Sequence, residues 1–95
     1  MKIAINRDYG GFSLSEEAKK WLGDCDKIEY DSTENRTNPR LIACIEELGA
    51  KANGRCADIK IVEIPDRCLV DWEIDYYDGY ETVKAAYTKT RTEEY

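Results

Sequence analysis

Residues 70–85, VDWEIDYYDGYETVKA, carry the strongest local pattern in this chain of 95 residues. Apolar or aromatic side chains at positions 70, 72, 74 and 76 alternate with acidic side chains at the positions between them. This period of two is typical of a β-strand with one covered face. The dipeptide Asp78-Gly79 then favours a two-residue type I′ turn, so the stretch predicts a β-hairpin.

The register of the hairpin follows from that turn, because a two-residue loop fixes which residues face each other. The predicted cross-strand pairs are Tyr77 with Tyr80, Ile74 with Val83, and Glu73 with Lys84. One face of the hairpin is then apolar, and the other carries an opposite-charge pair. Both features support this register.

Two elements begin the chain. Residues 2–6, KIAIN, alternate in the manner of a strand. Apolar residues between positions 14 and 22 have helical spacing, which predicts a first helix. Ser13 is a candidate N-cap for this helix, Ser15 is a rival one register later, and Gly23 ends the helix.

Two further elements lie between the first helix and the hairpin. A second helix over residues 39–48 has Asn38 as its N-cap, Pro39 at its first position and Gly49 at its end. Residues 57–64, ADIKIVEI, predict a strand with apolar side chains on both faces. That pattern indicates either a bulge or a strand covered on both sides.

The element order is therefore β-α-α-β-β-β, in a single domain over residues 1–95. Two amphipathic helices need an apolar surface, and one face of a sheet provides it. We expect an α+β fold: a two-layer sandwich with a mostly antiparallel four-stranded sheet and two helices on one face. Residues 24–37 are polar and irregular. Residues 88–95 have no apolar periodicity, so we expect this tail to fray.

Charge limits the classes of partner. Lys and Arg number 14 against 20 Asp and Glu, which gives a formal net charge of -6 at pH 7. This balance disfavours direct binding to nucleic acid and a polybasic membrane anchor, because both depend on clustered cations. No apolar stretch approaches the roughly 20 residues of a membrane span, and the first residues lack the apolar core of a signal peptide. We therefore expect a cytoplasmic protein.

Several catalytic chemistries are missing from the sequence. Histidine is absent, which removes Ser-His-Asp and Cys-His catalysis and imidazole metal ligands. The 4 cysteines, at positions 25, 44, 56 and 68, include no C-x-x-C pair, so we expect free thiols. A four-thiolate zinc site would require folding to bring all of them together. We expect no metal, no cofactor and no enzymatic activity.

The loop after the first strand is a candidate ligand site. Its glycines let backbone N–H groups converge on an anion, its arginine can pair with a phosphate, and its aromatic rings can stack on a base. The predicted ligand-binding residues are Arg7, Tyr9, Gly10, Gly11, Phe12 and Ser13. The alternative interpretation is a tight turn in which glycine only supplies a positive φ.

The polar face of the hairpin is a candidate partner site. Its carboxylates at every second residue lie about 6.6–6.8 Å apart, so they could imitate a phosphate backbone toward a basic protein. Tyrosine at the tip is typical of interfaces. The predicted partner-binding residues are Asp71, Glu73, Asp75, Tyr77 and Tyr80, with Asp78 and Glu81 adding two carboxylates before Lys84. The alternative is a solvated strand face on which Lys84 neutralises Glu73.

Most of the chain resembles a family of small proteins carried by bacteriophages and prophages. The stretches that carry the resemblance are KIAIN (2–6), YGGFSLSEEA (9–18), PRLIACIEELGAKANGRCADIKIVEIP (39–65) and VDWEIDYYDGYETV (70–83). The resemblance implies a compact accessory protein in the cytoplasm of an infected bacterium, acting against host defence. It transfers no catalytic or binding residue to this chain.

Two functional hypotheses from different classes follow. The first is a binding protein, monomeric or homo-oligomeric, that sequesters a small nucleotide-like ligand through the glycine loop. The second is an acidic inhibitor of a basic host protein, such as a nuclease or a nucleic-acid-binding protein, acting through the hairpin. A structural or regulatory phage component is a third alternative.

Overall fold

Helices and strands follow the predicted order, and one further strand comes after the hairpin. The computed structural model describes residues 1–23, 29–88 and 92–95. Its elements are β1 (Lys2–Asn6), α1 (Glu16–Leu22), α2 (Pro39–Leu48), β2 (Ile59–Glu63), β3 (Leu69–Tyr77), β4 (Tyr80–Tyr87) and β5 (Thr92–Glu94). Short 3₁₀ turns lie at Thr33–Asn35 and Gly49–Ala52. The α+β class is confirmed.

The strands form two separate antiparallel sheets. β1 pairs with β2, and the second sheet has the order β3-β4-β5. The helices cover one face of the β1–β2 sheet, and the second sheet covers the other, so the molecule has three layers. The predicted two-layer sandwich with a single four-stranded sheet was therefore wrong.

The composition of β2 explains the third layer. Ile59 and Ile61 belong to the apolar cluster beneath the helices, whereas Val62 and Ile64 belong to the cluster beneath β4. The residues of β1 divide between the same two clusters. Of the two interpretations open for this strand, the structure confirms coverage on both sides. A strand with two apolar faces needs a layer on each, and a two-layer fold could not supply them.

The hairpin has the predicted register. The pairs are Tyr77 with Tyr80, Ile74 with Val83, and Glu73 with Lys84. Asp78 (φ 51°) and Gly79 (φ 91°) both have positive φ, as a type I′ turn requires. The only irregularity along the β3–β4 ladder is a register shift between Leu69 and Asp71.

The helix boundaries match the sequence signals. Ser15 is the N-cap of α1, where its Oγ accepts a hydrogen bond from the Ala18 N–H at 3.1 Å. Ser13, the other candidate, lies outside the helix. Asn38 caps α2, and Gly49 ends it with a φ of 58°. Local capping chemistry therefore determines where both helices begin and end.

The last residues pair with β4, whereas the sequence analysis expected residues 88–95 to fray. The Val83 N–H donates to the Tyr95 carbonyl at 3.0 Å, and the Tyr95 N–H donates to the Val83 carbonyl at 2.7 Å. Backbone pairing of this kind needs no apolar periodicity, so the sequence pattern gave no sign of it. Residues 89–91 lie outside the described residues.

The Tyr87 hydroxyl connects β4 to two other parts of the chain, one before the hairpin and one after it. It donates to the Pro65 carbonyl at 2.9 Å and lies 3.2 Å from the Tyr95 hydroxyl. The hydrogen bond with Tyr95, together with desolvation, raises the pKa of Tyr87 from 10.0 to about 12. The folded state thus favours the neutral phenol. The contribution of the raised Tyr87 pKa to the free energy of unfolding is complete below pH 10.0 and is lost as the pH rises toward about 12.

The replacement Tyr95→Phe is expected to move the pKa of Tyr87 back toward its ordinary value, because the largest cause of the shift is removed. Alkaline titration of tyrosinate absorbance measures this as the loss of the latest ionisation step. Tyr9→Phe, which removes an exposed tyrosine, is the control and is expected to keep that step. A late step that survives in Tyr95→Phe would contradict the assignment.

Candidate functional site

The loop after β1 packs against the turn of the hairpin, so the two predicted sites lie side by side. Asn6 is fully buried between them. Its Nδ2 donates to the Gly79 carbonyl at 2.7 Å and to the Asp8 carbonyl at 2.6 Å. Its Oδ1 accepts from the Asp58 N–H at 2.8 Å, which ties the start of β2 to the same point. This one side chain holds the loop and the hairpin turn together.

Arg7 and Tyr9 of the loop lie against Tyr80 of β4. The Arg7 Nη1 donates to the Glu81 backbone carbonyl at 3.1 Å, and its Cζ lies 5.5 Å from the Tyr80 ring centroid. The ring centroids of Tyr9 and Tyr80 are 5.5 Å apart, with an angle of 31° between the planes. The structure therefore groups a cation and two aromatic rings beside the hairpin turn.

Close packing requires glycine at position 10, and a positive φ favours it at position 11. A Cβ on Gly10 would overlap the carbonyl oxygen and the Cβ of Cys56. Gly11 has a φ of +89°, and its nitrogen would lie 2.5 Å from a Cβ placed on Gly79. These contacts agree with the alternative interpretation of the loop as a tight turn. Ligand binding by the loop stays a prediction.

The last two predicted ligand residues are half-buried and contact the protein. The Arg36 guanidinium lies over the Phe12 ring, with its Cζ 3.8 Å from the ring centroid. The Ser13 hydroxyl donates to the Arg55 carbonyl at 3.3 Å, and the Ser13 carbonyl accepts from the Gly54 N–H at 2.9 Å. Both side chains therefore have structural contacts of their own.

A buried ion pair that was not predicted from the sequence anchors the hairpin. Arg36 and Glu81 are 4% and 7% exposed. The guanidinium nitrogens Nη1 and Nη2 lie 2.7 and 2.9 Å from the two carboxylate oxygens, a two-pronged contact of the strong kind. The Glu81 Oε1 also accepts from the Asn6 N–H at 2.7 Å. Glu81 therefore does not belong to the exposed carboxylates among which the sequence analysis counted it.

The sequence indicates one member of this ion pair, the carboxylate, but not the other. Glu81 precedes Val83 and Ala85 on the strand face predicted to be apolar. A carboxylate at a buried position needs a cation. The pattern does not say which of the 14 Lys and Arg side chains supplies it. Arg36 lies in the irregular segment 24–37, where no periodicity singles it out.

The three carboxylates on the polar face of β3, which we call the acidic row, are exposed. They are Asp71, Glu73 and Asp75. A shallow depression of about 250 Å³ lies along this face, lined by Asp71, Trp72, Glu73, Lys84, Ala86 and Thr92. The Lys84 Nζ lies 3.1 Å from the Asp75 Oδ2. The ion pair therefore forms diagonally with Asp75, although Glu73 stands directly opposite Lys84.

The carboxylates around Lys84 stabilise its charged form. The hydrogen bond and charge of Asp75, with smaller effects of Glu94 and Glu73, raise the pKa of Lys84. The ammonium group is thus held charged within an acidic surface. Among the described residues that line this face, Lys84 is the one cation beside these carboxylates, so this part of the face is negative overall.

Four tyrosines near the hairpin turn form a second feature, the tyrosine tip. Tyr9, Tyr76 and Tyr77 are 65%, 70% and 76% exposed, while Tyr80 is half-buried beneath Tyr9 and Arg7. Tyr76, Tyr77 and Tyr80 are expected at the tip from the sequence, and the structure adds Tyr9, which was predicted as a ligand-binding residue of the loop. Exposed aromatic groups of this size are typical of contact surfaces.

The described cysteines do not gather. Cys44 is buried, and desolvation raises the pKa of its thiol. Cys56 and Cys68 are exposed. Among the described residues, no group of three or more Cys, Asp or Glu side chains could hold a metal ion. Cys25, the fourth member of the zinc site considered above, lies outside them.

Comparison with protein-family models, with curated proteins and with solved structures finds no match to this chain. In the part of the chain that the structure describes, no helix is both long and apolar enough to cross a membrane.

Proposed function

We propose that this chain is a binding protein, not an enzyme, and that its hairpin contacts a basic protein. The observation that carries the proposal is the acidic row, which repeats an exposed carboxylate at every second residue along one face of β3. Lys84 pairs with one of the three carboxylates. The row therefore keeps a negative charge that a cationic partner can meet.

The anchoring of the hairpin supports the same proposal. The Arg36–Glu81 pair holds β4 from beneath, and Asn6 holds the turn. A surface that is ordered before binding loses less conformational entropy when a partner docks. The tyrosine tip adds apolar area to the charged row, and such a combination favours a protein partner.

The charge pattern also indicates the chemistry of the partner. A nuclease or nucleic-acid-binding protein presents cations to a phosphate backbone, so a line of carboxylates suits the same surface. The net charge of -6 would speed the encounter with such a partner. The resemblance to small phage proteins supports a host defence protein, in the bacterial cytoplasm, as the target.

A nucleotide-like ligand at the glycine loop is the second candidate. The observation in its favour is the arginine, Arg7, lying on one aromatic ring next to the exposed ring of Tyr9. Against it, the Arg7 guanidinium already donates to a backbone carbonyl, and Cys56 fills the space beside Gly10. We therefore favour the protein partner.

Reversing the acidic row tests the proposal. The row variant carries Asp71→Lys, Glu73→Lys and Asp75→Lys, which takes the formal net charge from -6 to 0. Association with a basic partner recovered from bacterial lysate is expected to slow by at least about tenfold at low salt, and its dependence on ionic strength is expected to flatten. Surface plasmon resonance over a salt series measures both quantities.

A second triple variant separates the position of the charge from its amount. The distal variant, Glu17→Lys, Glu34→Lys and Glu47→Lys, makes the same change in net charge at exposed residues outside the hairpin. It is expected to keep most of the association rate. Equal rates for the row and distal variants would contradict a contact through the hairpin.

A further inference from the structure

The outer edge of β3 has unused backbone hydrogen-bonding groups. In the described part of the chain, β3 lies at one side of its sheet and pairs with β4 alone. Around a two-residue hairpin loop the closing pair, here Tyr77 and Tyr80, exchanges both hydrogen bonds, and every second residue along the ladder does the same. The alternate residues Trp72, Ile74 and Tyr76 therefore turn their N–H and C=O groups outward.

Among the described residues, only one of these outward groups has a partner. The Trp72 N–H donates to the Asp71 Oδ1 at 2.8 Å. In the part of the chain that the structure describes, the N–H groups of Ile74 and Tyr76 and their carbonyls have no hydrogen-bond partner. An open edge of this length is a template for another strand.

We infer that β3 receives an extended segment of the partner as an added antiparallel strand, with Lys or Arg at every second position of that segment. This inference rests on the proposed function and names how the partner binds. Residues of an added strand lie on the same face as the residues directly opposite them. Those opposite Glu73 and Asp75 would meet carboxylates, so cations are favoured there. Those opposite Ile74 and Tyr76 would meet apolar groups, so β-branched side chains are favoured.

The same charges disfavour a second copy of this chain as the occupant. An antiparallel β3–β3 pair centred on Ile74 would place Glu73 of each copy opposite Asp75 of the other. Directly opposed like charges destabilise a sheet. Repulsion between these carboxylates therefore disfavours β3–β3 pairing and favours a basic strand at this edge. Charged residues protect open edges from self-association in this way.

A peptide pair tests the inference. The probe is a capped peptide of about nine residues in which lysine alternates with threonine, the length of an ordinary strand. Its control has the same composition with the lysines in one block. We expect the alternating peptide to bind at least about tenfold more tightly, because only its lysines can all face the acidic row. N-methylation of the threonine amides, which would point at β3, is expected to abolish binding, whereas N-methylation of the lysine amides is expected to preserve it.

Hydrogen exchange on the complex gives the decisive readout. The amides of Ile74 and Tyr76 are expected to exchange at least about tenfold more slowly with the alternating peptide bound. The amide of Asp75, already paired with β4, serves as the internal control. If the peptides bind equally well and these two amides stay unprotected, the inference of strand addition is wrong, whereas the proposal of a basic partner is not contradicted. If neither peptide binds and the row variant behaves as the wild type does, the proposed function itself is wrong.

Discussion

Replacing Glu81 by alanine is expected to lower the free energy of unfolding by about 3–5 kcal/mol, because the buried Arg36 guanidinium loses its counter-charge. The distances of 2.7 and 2.9 Å and the near-complete burial of both side chains place this pair among those that are costly to break. A chain of this size has only about 5–14 kcal/mol in total. Urea denaturation followed by circular dichroism measures the loss.

Two controls make this result specific. Lys2→Ala removes an exposed ion pair with Glu46 of similar length, 2.8 Å, and is expected to change stability little because both partners are solvated. The double variant Arg36→Met with Glu81→Leu is expected to recover part of the loss, since it leaves no buried charge. The recovery is expected to be incomplete, because the Asn6 N–H and the Ala4 carbonyl lose their hydrogen-bond partners. A Glu81→Ala variant as stable as Lys2→Ala would show that the pair does not anchor the hairpin.

Replacing Gly10 by alanine is expected to cost about 2 kcal/mol or more, because overpacking a tight contact forces the backbone to move. The added methyl group would overlap the Cys56 carbonyl oxygen, which belongs to the backbone and cannot rotate away. The expected consequence is a loop that separates from the backbone at Cys56. Thermal denaturation measures the cost, and the fluorescence of the nearby tyrosines reports the separation.

Gly11→Ala is the matched control for this prediction. Gly11 has a positive φ but open space around its Cβ position, so its replacement carries backbone strain of about 1–2 kcal/mol without any overlap. We expect Gly10→Ala to be the more damaging. If Gly10→Ala folds with wild-type stability, the glycine is not required for packing, and the ligand interpretation of the loop gains support.

Local sequence patterns predicted the parts of the fold that depend on near neighbours. The Asp78-Gly79 dipeptide fixed the hairpin register, and Asn38, Pro39 and Gly49 marked the second helix. In each case the interacting residues lie within a few positions of one another. The exposure of the acidic row followed from the same alternation, so this part of the candidate site could be found from sequence alone.

Contacts between distant residues could not be predicted in this way. Arg36 and Glu81 are 45 positions apart, and Asn6 reaches Gly79 across 73. The two-sheet arrangement depends on which layer covers each face of β2, and alternation within one strand does not specify that. The pairing of Tyr95 with Val83 uses backbone groups alone. Each of these features is decided by tertiary packing.

Native mass spectrometry of the protein recovered from bacterial lysate tests the central proposal most directly. We predict that the wild type and the distal variant each retain a basic protein, and that the row variant does not. The two variants share one formal net charge, so only the position of the replaced carboxylates separates them. A nucleotide bound equally to all three, with no protein retained by any, would contradict the account.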